Sequence, residues 1–438
     1  MDKTTFNNYI SKQFWKHIFS KTYVEHKAIV DRESFLNKLF DEIQSYSYNP
    51  SVPREYIVSN KYNLVSRIVP VLNLKDICVY YFCIKTLEEN LAKNRVKGTY
   101  GGFSSGGLLR KREDKEFNGM MEIPFSSSPY SFNPHAWVAA WRDFQKKAFI
   151  FSKNYSYFIK FDISNFYDSI NLTLLERKIR ANCHETQSET INLLFHFLKN
   201  WNKRFENYFP KTVGIPQDEV GDCSRILANF YLQEFDNLLL KFCQKKGMDR
   251  LRYSDDMFIM SNNLDLAKEA LFYASKELSK SGLNINPAKV HIFQSKVDFN
   301  NYWAFEIFNK LADPNDNATI ETAIELYKKY LDNYIEFRSD SVLKRIVNCD
   351  IMNIDITKKQ FVLNQLLNEE FLMNIEEFSL RRIYSFLSKS DKDLLNKKLE
   401  SLVAKVLFNK FHYVLLKTYD LHKINKTIIL KRIKELTL

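Results

Sequence analysis

The spacing of apolar and polar positions changes several times along this 438-residue chain, and each change marks a different element. In roughly the first fifty residues aromatic and basic positions recur with helical spacing, as in FWKHIFSKTYVEHKAIVDRESFLNKLFDEI. Phe35, Leu36, Leu39 and Phe40 share one helical face and the charges share the other. From Tyr56 to Pro70 the period shortens to YIVSNKYNLVSRIVP, which predicts a hairpin turning at Ser59 and Asn60. DICVYYFCIKTLEENLA predicts a helix that starts at Asp76, where a carboxylate caps the first turn. Residues 155–170, YSYFIKFDISNFYDSI, predict a buried strand running into a turn and helix. Residues 250–260, RLRYSDDMFIM, predict a hairpin with apolar arms around a Ser254-Asp255-Asp256 tip. Beyond about residue 315 the spacing is helical to the end, without a fixed repeat or a low-complexity segment.

Composition narrows the class. Hydrophobic residues make up 45% and charged residues 26%, as in a folded protein, and only 10 glycines and 10 prolines favour helix over long linkers. Five of those glycines crowd into KGTYGGFSSGGLL, from Gly98 to Gly107, a loop with backbone freedom or close approach to a ligand. It matches neither a dinucleotide-binding nor a P-loop fingerprint. Lysine and arginine total 64 against 52 acids, a net +12 that suits a polyanionic partner as well as plain solubility. The six cysteines form no CxxC pair, so zinc-ligand spacing is absent. No signal-peptide pattern opens the chain and no long uncharged apolar run crosses a membrane; a cytoplasmic location is the expectation.

The chemistry lies in the acids. Adjacent carboxylates at the tip of an apolar hairpin repel each other, and a bound cation removes the conflict. Hard carboxylate oxygens suit Mg²⁺ or Mn²⁺. Asp162 follows Phe158-Ile159-Lys160-Phe161, at the carboxyl end of what should be a central strand. With Asp255 and Asp256 it makes a set of three that can share two metal ions about 3.5–4 Å apart.

These segments, in this order, resemble the reverse transcriptases. FDISNFYDSI looks like the first palm motif; the resemblance makes Asp162 a metal ligand, with the backbone of Ile163 beside it, and Tyr167 the aromatic that excludes a 2′-hydroxyl. GIPQDEVGDCSRILANFYLQEFD resembles the palm helix motif, with Gly214, Pro216 and Gln217 facing the nucleotide. YSDD resembles the catalytic hairpin, and GLNINPAKVHIF the next motif, with Gly282 at a turn and Lys289 near the triphosphate. KYNLVSRIVPVLNLKDI looks like the fingers, with Lys61 and Arg67 on the triphosphate. Tyr100-Gly101-Gly102-Phe103 is similar to a segment that bacterial relatives carry, and with Tyr253 and Ser254 it implies template and primer contacts.

The resemblance runs from about residue 55 to 295. Asp218, Glu219 and Asp222 depart from the residues many relatives have there, and Ser224-Arg225-Ile226-Leu227 resembles the abortive-infection and defence-associated bacterial enzymes. It implies an α+β right-hand fold and an RNA-directed DNA polymerase in antiphage defence, using two Mg²⁺ ions, deoxynucleotides and an RNA template to make a DNA product, with no membrane partner. The template implied is a companion structured non-coding RNA. The alternatives are template-independent or protein-primed DNA synthesis, and an RNA-binding scaffold without catalysis. The expected divisions are a helical segment over 1–54, fingers over 55–155, palm over 156–300 and a helical thumb-like domain over 301–438. In that last stretch KINKTIILKRIKELTL suits either a duplex backbone or a homo-oligomer surface.

Overall fold

The computed structural model describes residues 1–21, 31–62, 65–102, 132, 136–202, 214–217, 222–333 and 339–436. It divides into two compact units, one of residues 1–54 and 70–296 and the other of residues 55–69 and 297–438. The fold is α+β, with a helical C-terminal region. Among the described residues no helix is long and apolar enough to cross a membrane.

The first unit is built on a five-stranded sheet in the order β3-β5-β6-β4-β7. Its strands are β3 (Thr99–Tyr100), β4 (Tyr157–Phe161), β5 (Asp249–Tyr253), β6 (Asp256–Ser261) and β7 (His291–Phe293). β3 and β5 run parallel; the other neighbours are antiparallel. β4 lies inside the sheet, and Phe158, Ile159 and Phe161 are buried, as a run of apolar residues without alternation requires. The register pairs Phe161 with Met257, so one step further along β4 sets Asp162 against Asp256.

The helix Leu74–Ala92 is apolar on nearly every side from Ile77 to Ile84 and is buried accordingly. It begins two residues before Asp76, at Leu74, with Asn73 at the N-cap position, so Asp76 is not its cap. The carboxylate instead accepts the Tyr48 hydroxyl at 2.8 Å and the Ser51 amide at 3.0 Å, tying the chain after the helix Arg32–Gln44 to the central helix. Leu36, Leu39 and Phe40 are buried on that helix, as their spacing predicts.

The second unit holds a two-stranded sheet, β1 (Glu55–Tyr62) and β2 (Val65–Val71, whose last residues fall in the first unit), with the helices after Val297. Ser59 and Asn60 lie within β1, so the turn is not there; residues 63–64 lie outside the described residues. Strand pairing overrides the turn propensity of Ser59 and Asn60.

Burial raises the Asp76 carboxyl to about 6, with Tyr48 and the Ser51 amide opposing. The native state therefore holds this proton more tightly than the unfolded chain does. The group's contribution is full below pH 4 and is lost as pH rises towards 6. Asp76→Asn should remove on the order of 2 kcal/mol of that pH dependence, read from denaturant unfolding at pH 4.5 and 7.

Candidate active site

The β5–β6 turn is Tyr253-Ser254-Asp255-Asp256, with Tyr253 paired to Asp256. Ser254 takes φ 55°, the left-handed conformation that a tight primed hairpin turn uses. The turn brings Asp255 and Asp256 to the end of β4, where the register sets Asp162. Asp255 is the strained member. Burial, then the Asp256 charge, raise its carboxyl to about 6; Asp162 adds to the rise and Lys289 opposes it.

Two lysines face the other acids. Lys289 ends the short 3₁₀ turn Pro287–Lys289, and its ammonium reaches Asp162 Oδ2. That turn is held by the backbone: the Asn286 amide donates to the Asp162 carbonyl at 2.9 Å and the Ser164 amide to Asn284 at 2.8 Å. Ile163 bridges to Ile285 between them, and its own carbonyl points the other way by the alternation of a strand. Lys160 is buried on β4 and pairs with Asp256 Oδ1 at 3.2 Å. Its signal in the sequence was a lysine inside an otherwise apolar buried strand, a position that demands an anionic partner.

The residues fit divalent cations in chemistry. Asp162 Oδ1 is buried with no hydrogen-bond partner among the described residues. The donors are hard oxygens, and a cation would relieve the crowding at Asp255. As they stand, no three acidic, imidazole or thiol side chains among the described residues are gathered into a metal cage. Asp162 and Asp256 face lysines instead.

Tyr167 lies against this turn. Burial pushes its phenol up to about 12, with Arg225 opposing and Ser254, Asp255 and Asp222 close enough to contribute. Its carbonyl accepts the Ile215 amide at 3.0 Å, and a Cβ on Gly214 would stand 2.0 Å from that carbonyl oxygen. Glycine at 214 is therefore a steric requirement. Gln217 is half-buried and follows Pro216, whose carbonyl accepts the Ser224 hydroxyl. Tyr80 reaches the same hydroxyl at 2.8 Å. Asp222, at φ 61°, pairs with Arg225 at 2.8 Å. Asp218 and Glu219 lie outside the described residues.

Behind the turn the hairpin arms are not simply apolar, as their sequence suggested. Arg250 and Arg252, on one face of β5, are buried around Asp236. Arg252 also donates to Asn229 at 2.6 Å and to the Ser254 carbonyl at 2.6 Å, so it holds the turn from beneath. Burial alone would raise the Asp236 carboxyl, but Arg252 and Arg250 outweigh it and hold it below its ordinary value. Arg95 completes the cluster; burial lowers its guanidinium to about 9, with Arg252 adding to the fall. It donates to the Gly102 carbonyl, while Asn229 donates to Gly101 at 3.1 Å. Gly102, at φ +58°, leaves no room for a side chain, since a Cβ would meet Asn229 at 2.2 Å. The spacing of Arg250 and Arg252 at i and i+2 was the readable sign of a polar inner face.

Among the other sequence candidates, Tyr100, Gly101 and Gly102 are buried at the end of β3, and Phe103 lies outside the described residues. Tyr253 is buried edge-on to Trp141 at 4.8 Å. Lys61 and Arg67 belong to the second unit, where Arg67 is exposed on β2; the Lys61 side chain is outside the described residues.

Two substitutions should move stability in opposite directions. Arg252→Met leaves Asp236 and the Ser254 carbonyl short of a buried partner and should cost about 3–5 kcal/mol. Asp255→Asn removes a half-buried charge beside two others and should stabilise the metal-free protein by about 1 kcal/mol. Denaturant unfolding in the presence of a chelator at pH 8 checks both.

The family described as Reverse transcriptase (RNA-dependent DNA polymerase) matches residues 114–303. The retron Ec83 reverse transcriptase of Escherichia coli is 28% identical over 112 residues, which are 25% of this chain; the chain spans 34% of that relative's length. Among solved structures, apo telomerase from Candida tropicalis has a TM-score of 0.36 at 12% identity, over 92% of this chain and 74% of that one. Telomerase from Candida albicans, in complex with a fragment of telomeric RNA, has a TM-score of 0.32 at 12% identity, over 92% and 68%. Over residues 114–303 the chain is similar to the reverse transcriptases, and over 112 residues to a bacterial one.

Proposed function

We propose that the protein is an RNA-directed DNA polymerase that extends a DNA strand by nucleotidyl transfer at Asp162, Asp255 and Asp256. One observation carries the reading: the β4–β6 register and the β5–β6 turn bring three acids from two distant segments to one place, where Asp255 is held under charge strain. Two divalent ions, Mg²⁺ or Mn²⁺, would be held by these carboxylates and the Ile163 carbonyl; bound there, they activate a 3′-hydroxyl and take up charge on the leaving pyrophosphate.

The chain's own residues do the rest. Lys160 neutralises Asp256 and fixes its orientation. Lys289 pairs with Asp162 and its side chain remains half-exposed; its ammonium is a further contact for a triphosphate. Lys61 and Arg67 are the further triphosphate contacts, and Gln217 meets the nucleotide. Tyr167, held by the Gly214 contact, is the barrier to a 2′-hydroxyl. Tyr100, Gly101, Gly102, Phe103, Tyr253 and Ser254 belong to the template and primer side; for those that are buried, the role is to shape its floor.

The reading extends to antiphage defence with a companion structured RNA as template. Its support is the resemblance carried by Ser224-Arg225-Ile226-Leu227.

The test is incorporation of deoxynucleotides on an RNA template with a DNA primer and Mg²⁺. The double variant Asp255→Ala, Asp256→Ala should fall to background, and undiminished incorporation would falsify the proposal. Tyr167→Val should raise ribonucleotide incorporation by about tenfold or more, because discrimination by volume is lost with the ring. Unchanged discrimination would remove Tyr167 from that role.

A further inference from the structure

We infer that Asn409 is a positioning residue for the β1–β2 hairpin, holding it in the setting from which Arg67 contacts a triphosphate. The inference rests on the nucleotide-binding reading of Arg67 given above, and it assigns the helical C-terminal region a part in nucleotide binding.

Asn409 opens the helix Asn409–Lys417, and its side chain is completely buried. An asparagine at a helix start ordinarily turns its amide back to cap the exposed N–H groups of its own first turn. This one does not. Its Nδ2 donates to the Tyr56 carbonyl at 2.9 Å, and its Oδ1 accepts the Val58 amide at 2.7 Å, about 350 residues away along the chain. The helix itself has no side-chain cap: Phe408 stands at its N-cap.

Tyr56 and Val58 are two residues apart, so the groups that Asn409 engages lie on one edge of β1. The side-chain amide pairs with that edge as a neighbouring strand would, one donor to a carbonyl and one acceptor to an N–H. An apolar side chain could fill the space but could not fix the strand lengthwise, because hydrophobic contact is not directional. The helix start is itself fixed, since the two ring nitrogens of His412 face the Val403 carbonyl at 2.9 Å and the Phe408 carbonyl at 3.2 Å.

From the clamp the path to Arg67 is short. Ile57 and Val58 are buried, and the next residue, Ser59, donates its hydroxyl to the Arg67 carbonyl at 3.5 Å. Val65, Ser66 and Arg67 are exposed. The hairpin is therefore anchored through β1 and presents Arg67 from β2. Hairpin and helix belong to the same unit.

The experiment uses the full chain and measures KM and kcat for a deoxynucleotide on an RNA template with a DNA primer. Asn409→Leu, of similar volume but without either hydrogen bond, should raise KM about tenfold with kcat within about twofold. Most of that penalty should vanish in an Arg67→Ala background, because the two residues act through one contact. Leu399→Ala, buried in the helix Lys389–Lys405 of the same unit, should lower Tm without moving KM. If Asn409→Leu does not fold, Asn409→Asp keeps the acceptor for Val58 and sets a carboxylate against the Tyr56 carbonyl, and should raise KM in the same way. A lowered Tm with unchanged KM, or penalties that add fully with Arg67→Ala, overturns the inference and leaves the polymerase reading standing. A wild-type protein that neither incorporates nor binds deoxynucleotides overturns both.

Discussion

Mutual repulsion among Asp162, Asp255 and Asp256 is the constraint on which the five-stranded unit depends. A hairpin tip with adjacent acids would be stable in open water, but here partial burial and the neighbouring Asp256 charge together raise Asp255. The fold answers with cations of its own. Lys160 is supplied by β4, two residues before Asp162, and Lys289 by the turn that the backbone joins to Asp162 and Ser164. Three negative charges thus meet two positive ones, an imbalance that a bound divalent ion would relieve.

A second electrostatic group keeps that arrangement in place. Asp236 is enclosed by Arg250 and Arg252, and Arg252 carries the constraint forward to the Ser254 carbonyl. Through Asn229 the same group reaches Gly101, and Arg95 reaches Gly102. The left-handed residue at the turn and the glycine segment beside β3 are therefore supported from one buried centre. Such a group is costly to break because each partner removed leaves another charge without compensation.

Much of this was legible in the residues. The three acids, the strand before Asp162 and the YSDD turn follow from apolar runs interrupted by carboxylates. Gly214 stood in a recognisable motif, although its reason, the approach of the Tyr167 carbonyl, needed coordinates. Asp236 was not legible as the partner of Arg250 and Arg252, since an acid on an amphipathic helix reads as solvated until the helix is docked. The start of the central helix was misplaced because Asp76 has the chemistry of a cap and uses it on Tyr48 instead. The turn at Ser59 and Asn60 failed for a related reason: both are turn formers by propensity, and strand pairing overrode them.

The strand order has a consequence for how the chain comes to be folded. β4 is apolar and internal, yet its sheet neighbours are β6 and β7, both made well after it during synthesis. Until residue 261 has left the ribosome β4 has no partner on one side, and until residue 293 none on the other. Its sticky edges are exposed for that whole interval, a window in which a chaperone competes with aggregation. The three-acid cluster is then among the last parts of the unit to assemble, because Lys289 must arrive before Asp162 acquires its counter-charge. A nascent chain cut short before that point carries the acids without the means to organise them.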